Sequence, residues 1–226
     1  MEKCINKLNI IKISDLKPGD IVLSAYPDQQ SRDIADSTKG FFSHAGLYLG
    51  VMNNKHMSLD TGPTGASIDE LDVNSSTGMS VIRFNVPLDQ AVLLQEATNM
   101  VNMPYEKKRL IYIGLCAWDR RCYESNYGLH KLIREHKREH YLTNLNRRGS
   151  DKVCSGLSLT VLSKASDSEL YSNCIFDLQQ LSPNCIFEQA QKCSNTTSFL
   201  LKPFPESELN RKKKHFIFAA FSLLKN

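Results

Sequence analysis

Apolar and polar residues alternate most cleanly between Ser43 and Gly50, where Ala45, Leu47 and Leu49 are set against His44, Gly46 and Tyr48. A period of two is that of a strand with two unlike faces, so His44 and Tyr48 share one face. Asn53-Asn54 follows as a turn, after which Lys55 to Asp60 can return antiparallel, and Thr61-Gly62-Pro63-Thr64-Gly65 ends the hairpin. Such a return carries Asp60 back toward His44. Upstream, the turn cluster Lys17-Pro18-Gly19-Asp20 precedes an apolar run, Ile21 to Tyr26, expected as a buried strand. Pro27 to Gly40 is polar and reads as a loop or short helix. Ser80 to Val86 is a further strand, and Leu88 to Val101 has the apolar spacing of an amphipathic helix, interrupted at Pro104.

In the second half, Gly128 to Tyr141 patterns as a strongly charged helix and Asn146 to Asp151 as a polar loop. From Cys154 onward, Leu157, Leu159, Val161 and Leu162 predict a buried helix whose first turn holds the cysteine. Ser182-Pro183 is an N-cap followed by proline at the first helical position. His215 to Leu224 is apolar but far short of the ~20 residues a spanning helix needs, and is expected as a buried strand or helix behind the solvated Arg211-Lys212-Lys213-Lys214 turn. No internal repeat or linker divides the chain. One catalytic domain is therefore expected over 1–226, with a basic helical insertion at about 115–150.

Composition supports a well-buried core: 226 residues, 41% hydrophobic and 23% charged, exclude a disordered or fibrous chain. The net charge of +4 is uneven, for Arg120 to Lys152 holds nine bases against four acids. A basic element of this kind suits an acidic substrate or surface, or is a solvated helix face. Without interleaved aromatics or a nucleic-acid motif, no nucleic-acid partner is expected. Seven cysteines, at 4, 116, 122, 154, 174, 185 and 193, leave at least one thiol unpaired and are too sparse for a disulfide scaffold. Met1 to Asp20 lacks the apolar stretch and cleavage site of a secretory signal, so synthesis and folding in a reducing cytoplasm are expected.

A thiol at a helix N-terminus beside an imidazole can become a nucleophile at neutral pH. Cys154 is the candidate nucleophile and His44 its base, with Asp60 holding the productive tautomer and the Cys154 backbone amide facing the oxyanion. On pattern alone a cysteine opening a buried helix is more often core filler and a histidine on a strand an ordinary surface or core residue, and Asp60 could cap the turn into Gly62. His136-Lys137-Arg138-Glu139-His140 fits a zinc-peptidase pattern, but Arg134, Lys137 and Arg138 would repel a dication. No Cys-x-x-Cys pair and no Gly-rich phosphate loop appears, so neither metal nor cofactor is expected.

Val153-Cys154-Ser155-Gly156-Leu157 resembles the nucleophile segment of the NlpC-type, papain-like cysteine hydrolases. Leu16 to Val22 resembles that family's Pro-Gly-Asp strand, and Ser43 to Gly50 its histidine strand. Met103-Pro104-Tyr105 is similar to the family's Pro-Tyr segment, whose tyrosine lies beside the active site, and Leu181-Ser182-Pro183-Asn184 to its Ser-Pro helix start. Cysteine follows histidine by 110 residues, the order of the circularly permuted branch. Asp60 stands at the third polar position, where His, Asn, Gln or Glu is more usual. The resemblance covers about a third of the chain and implies a papain-like α+β fold, with a central antiparallel sheet packed against the nucleophile-bearing helix. It implies a Cys-His-Asp site of Cys154, His44 and Asp60, with Tyr105, Ser43 and Ser155 as substrate-binding or oxyanion candidates. The implied reaction is hydrolysis of amide bonds in peptidoglycan stem peptides, whose carboxylates would suit the basic insertion. Lipid acyl transfer or ester hydrolysis, as in lecithin:retinol acyltransferase-like relatives, is the alternative, and a catalytically silent binding module the second. A wall substrate without a secretory signal leads us to expect an antibacterial effector exported by a type VI-like system to a target-cell periplasm. Its partners would be a secretion-apparatus carrier and an immunity protein.

Overall fold

The computed structural model describes residues 5–38, 40–62, 64–105, 154–166 and 182–209. The expected charged helix at 128–141, the insertion at 115–150, the His136 to His140 segment and the 211–224 tail lie outside the described residues. Seven strands form one sheet: β1 (Asn9–Ile10), β2 (Ile21–Ala25), β3 (His44–Met52), β4 (Lys55–Gly62), β5 (Gly65–Glu70), β6 (Gly78–Phe84) and β7 (Thr196–Lys202). Their order across the sheet is β1-β7-β6-β2-β3-β4-β5. All neighbours are antiparallel except β1 and β7, which are parallel, so the sheet is mixed at one edge and antiparallel through its centre. Five α-helices accompany it among the described residues: α1 (Gln29–Ser37), α2 (Gln90–Met100), α3 (Cys154–Ala165), α4 (Pro183–Ala190) and α5 (Glu206–Leu209). The class is α+β, as expected.

Local chemistry accounts for most boundaries. Asn53 and Asn54 both take positive φ, 50° and 62°, as a two-residue hairpin turn between β3 and β4 demands. Asp28 accepts a hydrogen bond from the Ser31 N–H at 2.8 Å and starts α1 within the polar segment. Asp89 caps α2 by accepting from Ala91 and Val92, and Ser182 caps α4 by accepting from the Cys185 N–H at 3.1 Å, with Pro183 in the first turn. The strand expected over Ser80 to Val86 runs two residues earlier, because pairing begins at Gly78 opposite Ala25. Beyond Phe84, the Asn85 N–H turns to the Asn195 carbonyl.

One face of the sheet carries Ile21, Leu23, Ala45, Leu47, Leu59 and Ile82 into the main core, which α2, α3 and α4 complete with Leu93, Leu157, Leu162 and Phe187. Helix α3 packs against β3, β4 and α2 and buries all of its first six residues, the Ser158 hydroxyl being satisfied by the Cys154 carbonyl at 3.0 Å. Val22, Tyr48, Met79 and Val81 form a smaller cluster with Leu16. Among the described residues no helix is long and apolar enough to cross a membrane. Cys193 is disulfide-bonded, while Cys154 and Cys185 are free thiols.

The Pro18-Gly19-Asp20 turn is structural. Gly19 sits at φ +93°, where only glycine is at ease, and a Cβ there would overlap Leu88. Asp20, 1% exposed, holds Arg83 through two bonds of 2.8 and 2.7 Å and accepts the Lys17 N–H at 2.8 Å. The Arg83 guanidinium also reaches the Asp15 carbonyl and lies over the Phe199 ring. Asp20→Ala strands that guanidinium and should lower unfolding free energy by about 3 kcal/mol, measured by urea titration; a loss below about 1 kcal/mol would reduce the pair to a surface contact.

Candidate active site

His44 opens β3, and Asp60 lies near the end of β4, the strand hydrogen-bonded beside it. The β3–β4 register runs Tyr48 to Ser58 and Leu47 to Leu59, so its next step sets Gly46 against Asp60. A Cβ at 46 would overlap Asp60 Oδ1. Glycine there leaves room for the carboxylate to lean across the strand and meet His44 Nε2 at 2.7 Å. The other carboxylate oxygen accepts the hydroxyl proton of Ser58, a fully buried side chain two residues back on β4.

With Nε2 engaged by Asp60, Nδ1 is the ring atom left for Cys154, whose thiol is hydrogen-bonded to His44. Cys154 is the first residue of α3 and 3% exposed. Backbone N–H groups of Ala45 and Ser155 point at its sulfur, which joins the start of the helix to the start of the strand. The three candidates expected to form a triad thus lie in one hydrogen-bonded row: Cys154, His44, Asp60.

The electrostatics of this row favour an ion pair. Burial pushes the Cys154 thiol up, but the bond to His44, its positive charge and the two backbone N–H groups outweigh that, and the thiol titrates below its ordinary value. Burial likewise disfavours the imidazolium, yet the bonds to Asp60 and Cys154 and their negative charges hold His44 well above its ordinary value. For Asp60, burial is overcome by the bond and charge of His44 and by the Ser58 hydroxyl, and the carboxyl titrates below the usual range. Both shifts favour the thiolate–imidazolium pair over the neutral pair. His56, the other histidine among the described residues, is bonded through Nδ1 to the Tyr48 hydroxyl at 2.7 Å.

His44 and Asp60 line a cleft of about 500 Å³ together with Ser43 and Tyr105 among others, and the buried Cys154 lies behind His44 rather than in its lining. Tyr105 is close enough to Cys154 that burial and the thiolate charge together push its phenol up and keep it a hydrogen-bond donor. Ser43 lines the cleft, with its N–H committed to the Ser24 carbonyl at 3.0 Å. Ser155 is 1% exposed and meets the thiol through its backbone. Sequence reasoning missed Tyr26, whose ring lies 6.2 Å from that of His44 at 60° on the cleft wall, and Ser58 behind Asp60. A polar residue two positions before a candidate carboxylate on one strand face was the available signal for Ser58.

Asp28, Asp69, Glu70 and Asp72 also line the cleft, and among the described residues no lysine or arginine does. The basic stretch expected to meet a carboxylate-rich substrate lies outside the described residues. Also among the described residues, no group of three or more His, Cys, Asp or Glu is arranged to hold a metal ion.

No family model matches the chain, and no curated protein matches it. Among solved structures, it is similar to a crystal structure of the metalloprotein yiiX from Escherichia coli O157:H7, with a TM-score of 0.50 and 15% identity over 84% of this chain and 98% of that one. At that identity the likeness concerns the arrangement of strands and helices alone.

Proposed function

We propose that this protein is a cysteine hydrolase of the circularly permuted NlpC-type, papain-like kind, cleaving amide bonds in peptidoglycan stem peptides. The observation that carries this reading is the Cys154–His44–Asp60 row, with the thiol drawn down and the imidazole drawn up in pKa beside an open cleft. In the first step the Cys154 thiolate adds to the amide carbonyl. The resulting oxyanion is met by the Cys154 backbone N–H and the Tyr105 hydroxyl. Collapse breaks the C–N bond, and the imidazolium of His44 gives its proton to the departing amine. Water then attacks the thioester as His44 takes one of its protons. A carboxylic acid leaves and the thiolate–imidazolium pair returns. Asp60 keeps Nε2–H directed at itself, so that Nδ1 faces the sulfur throughout.

The acidic wall of the cleft would repel carboxylates of a stem peptide, and the basic stretch from Arg120 to Lys152 is the element whose charge suits them. A disulfide at Cys193 fits a protein that works outside a reducing cytoplasm, in keeping with an exported effector active in a target cell's periplasm.

Purified protein incubated in parallel with cell-wall sacculi and with phospholipid vesicles, and read by mass spectrometry, tests the substrate. Stem-peptide fragments bearing a new amine and a new carboxyl are expected, lost on Cys154→Ala or alkylation and retained under chelation. Fatty-acid release from vesicles alone would transfer the assignment to lipid esters, and turnover of neither would leave a binding module. Periplasmic expression should lyse host cells; equal lysis by the Cys154→Ala variant would remove the effector reading.

A further inference from the structure

From the geometry around Asn184 we infer that this residue is a positioning residue for His44, setting the phase in which β3 begins. The inference rests on the cysteine-hydrolase reading. Asn184 is the second residue of α4 and is 1% exposed. Its side-chain amide treats Phe42 as a neighbouring strand would: Oδ1 accepts the Phe42 N–H at 3.0 Å and Nδ2 donates to the Phe42 carbonyl at 2.8 Å. Nδ2 also donates to Thr38 Oγ1 at 2.6 Å, so one amide ties both ends of the turn between α1 and β3. Gly40 lies within that turn, and a Cβ there would overlap the Asn184 amide.

The Phe42 ring is held by the same quarter of the molecule, 5.2 Å from Phe187 of α4 and 5.5 Å from Phe204 between ring centres. Phe42 thus has its backbone and its ring fixed two residues before the catalytic imidazole. The Ser43 N–H then enters the sheet through the Ser24 carbonyl, and His44 pairs with Ser24. His44 must satisfy Asp60 with one nitrogen and Cys154 with the other, a geometry that tolerates displacements of only about 0.5 Å. A clamp that fixes the preceding backbone on both sides supplies that tolerance. The Ser182-Pro183-Asn184 segment therefore serves the site although it is remote from it in sequence: Ser182 and Pro183 start the helix, and Asn184 delivers the amide.

The test needs no substrate. Iodoacetamide alkylation of Cys154, followed from acid to alkaline pH and assigned by peptide mapping, reads the thiolate directly. Relative to wild type, Asn184→Ala should alkylate about tenfold more slowly near pH 6, its acid limb displaced toward the ordinary thiol range. Gly40→Ala should produce the same displacement by pushing on the amide. The double variant should be no worse than Asn184→Ala, since the overlap disappears with the amide. Melting curves establish which variants are folded. A folded Asn184→Ala with the wild-type profile overturns the proposal, as does additivity in the double variant. If Asn184→Ala does not fold, Asn184→Asp keeps the bond from the Phe42 N–H and sets a carboxylate oxygen against the Phe42 carbonyl in place of the Nδ2 bond; a wild-type profile there overturns it as well. Failure of both to fold makes the amide a requirement of the fold and equally ends the positioning role. Wild-type Cys154 that alkylates like an ordinary thiol removes the cysteine-hydrolase reading itself, whatever the variants do.

Discussion

His44→Ala should slow alkylation of Cys154 near pH 6 by about a hundredfold and amide hydrolysis by on the order of 10⁴-fold or more. The imidazole provides the two largest influences opposing burial at the sulfur, its hydrogen bond and its charge. Without them, burial acts against only two backbone N–H groups, and the thiol titrates higher than in wild type. In wild type, the acid limb of activity should follow protonation of the sulfur, which removes the nucleophile, and should lie below the usual thiol range. The alkaline limb should follow loss of the imidazolium proton, which removes the acid that releases the amine, and should lie well above the usual imidazole range. Rates measured across pH for hydrolysis and alkylation should therefore differ in kind: hydrolysis bell-shaped, alkylation with only its acid limb. Cys154→Ala abolishes both. Equal alkylation of wild type and His44→Ala would show that the imidazole does not activate the thiol.

What could be read from the sequence was what local chemistry decides. Asn53-Asn54 announces the β3–β4 hairpin because asparagine tolerates positive φ, and Ser182-Pro183 announces α4 because each residue fits one helical position and little else. The buried helix from Cys154 is visible in the spacing of Leu157, Leu159, Val161 and Leu162 and in the absence of Gly and Pro after Gly156. What went unread was decided by distant partners. β7 carries Phe199, Leu200 and Leu201 in succession, without the alternation of a strand, and becomes one by pairing with β6, as in Ser80 opposite Leu200. β5 is six residues long, with only Ala66 and Ile68 as its apolar side, and exists because β4 offers an open edge. β1 is two residues beside β7, and its parallel pairing is the departure from an otherwise antiparallel sheet.

The site divides in the same way. Cys154 and His44 were found through short segments whose residue types are tied to their backbone positions. Asp60 follows from hairpin pairing and from the third polar position of the resemblance, and its reach to His44 depends on a missing side chain at Gly46, which the sequence shows only as one more small residue in a strand. Tyr26 ends up beside His44 because β2 and β3 pair, and Asn184 beneath Phe42 because α4 packs there. Neither contact has a local signature. The acidity of the cleft is a property of five residues drawn from three parts of the chain, and no window of sequence contains it.

Gly46→Ala should reduce kcat on the order of a thousandfold, although it adds only a single methyl group. The new Cβ would occupy the space of Asp60 Oδ1, the oxygen that holds His44 Nε2. Displacing it frees the ring to turn, removes the charge that raises the imidazole, and breaks the registration of Nδ1 with the sulfur. Asp60→Ala produces the same loss by deletion. The double variant Gly46→Ala/Asp60→Ala should then equal Asp60→Ala, because a methyl group cannot displace a carboxylate that is absent. Asp60→Asn separates charge from geometry: an amide oxygen still accepts from Nε2–H, so the rate should fall between wild type and Asp60→Ala. The alkaline limb should move down in pH as the imidazolium loses its counter-charge. Multiplicative losses in the double variant would place Gly46 outside the line of action from Asp60 to His44. An unmoved alkaline limb in Asp60→Asn would show that the carboxylate orients the ring without stabilising its charge.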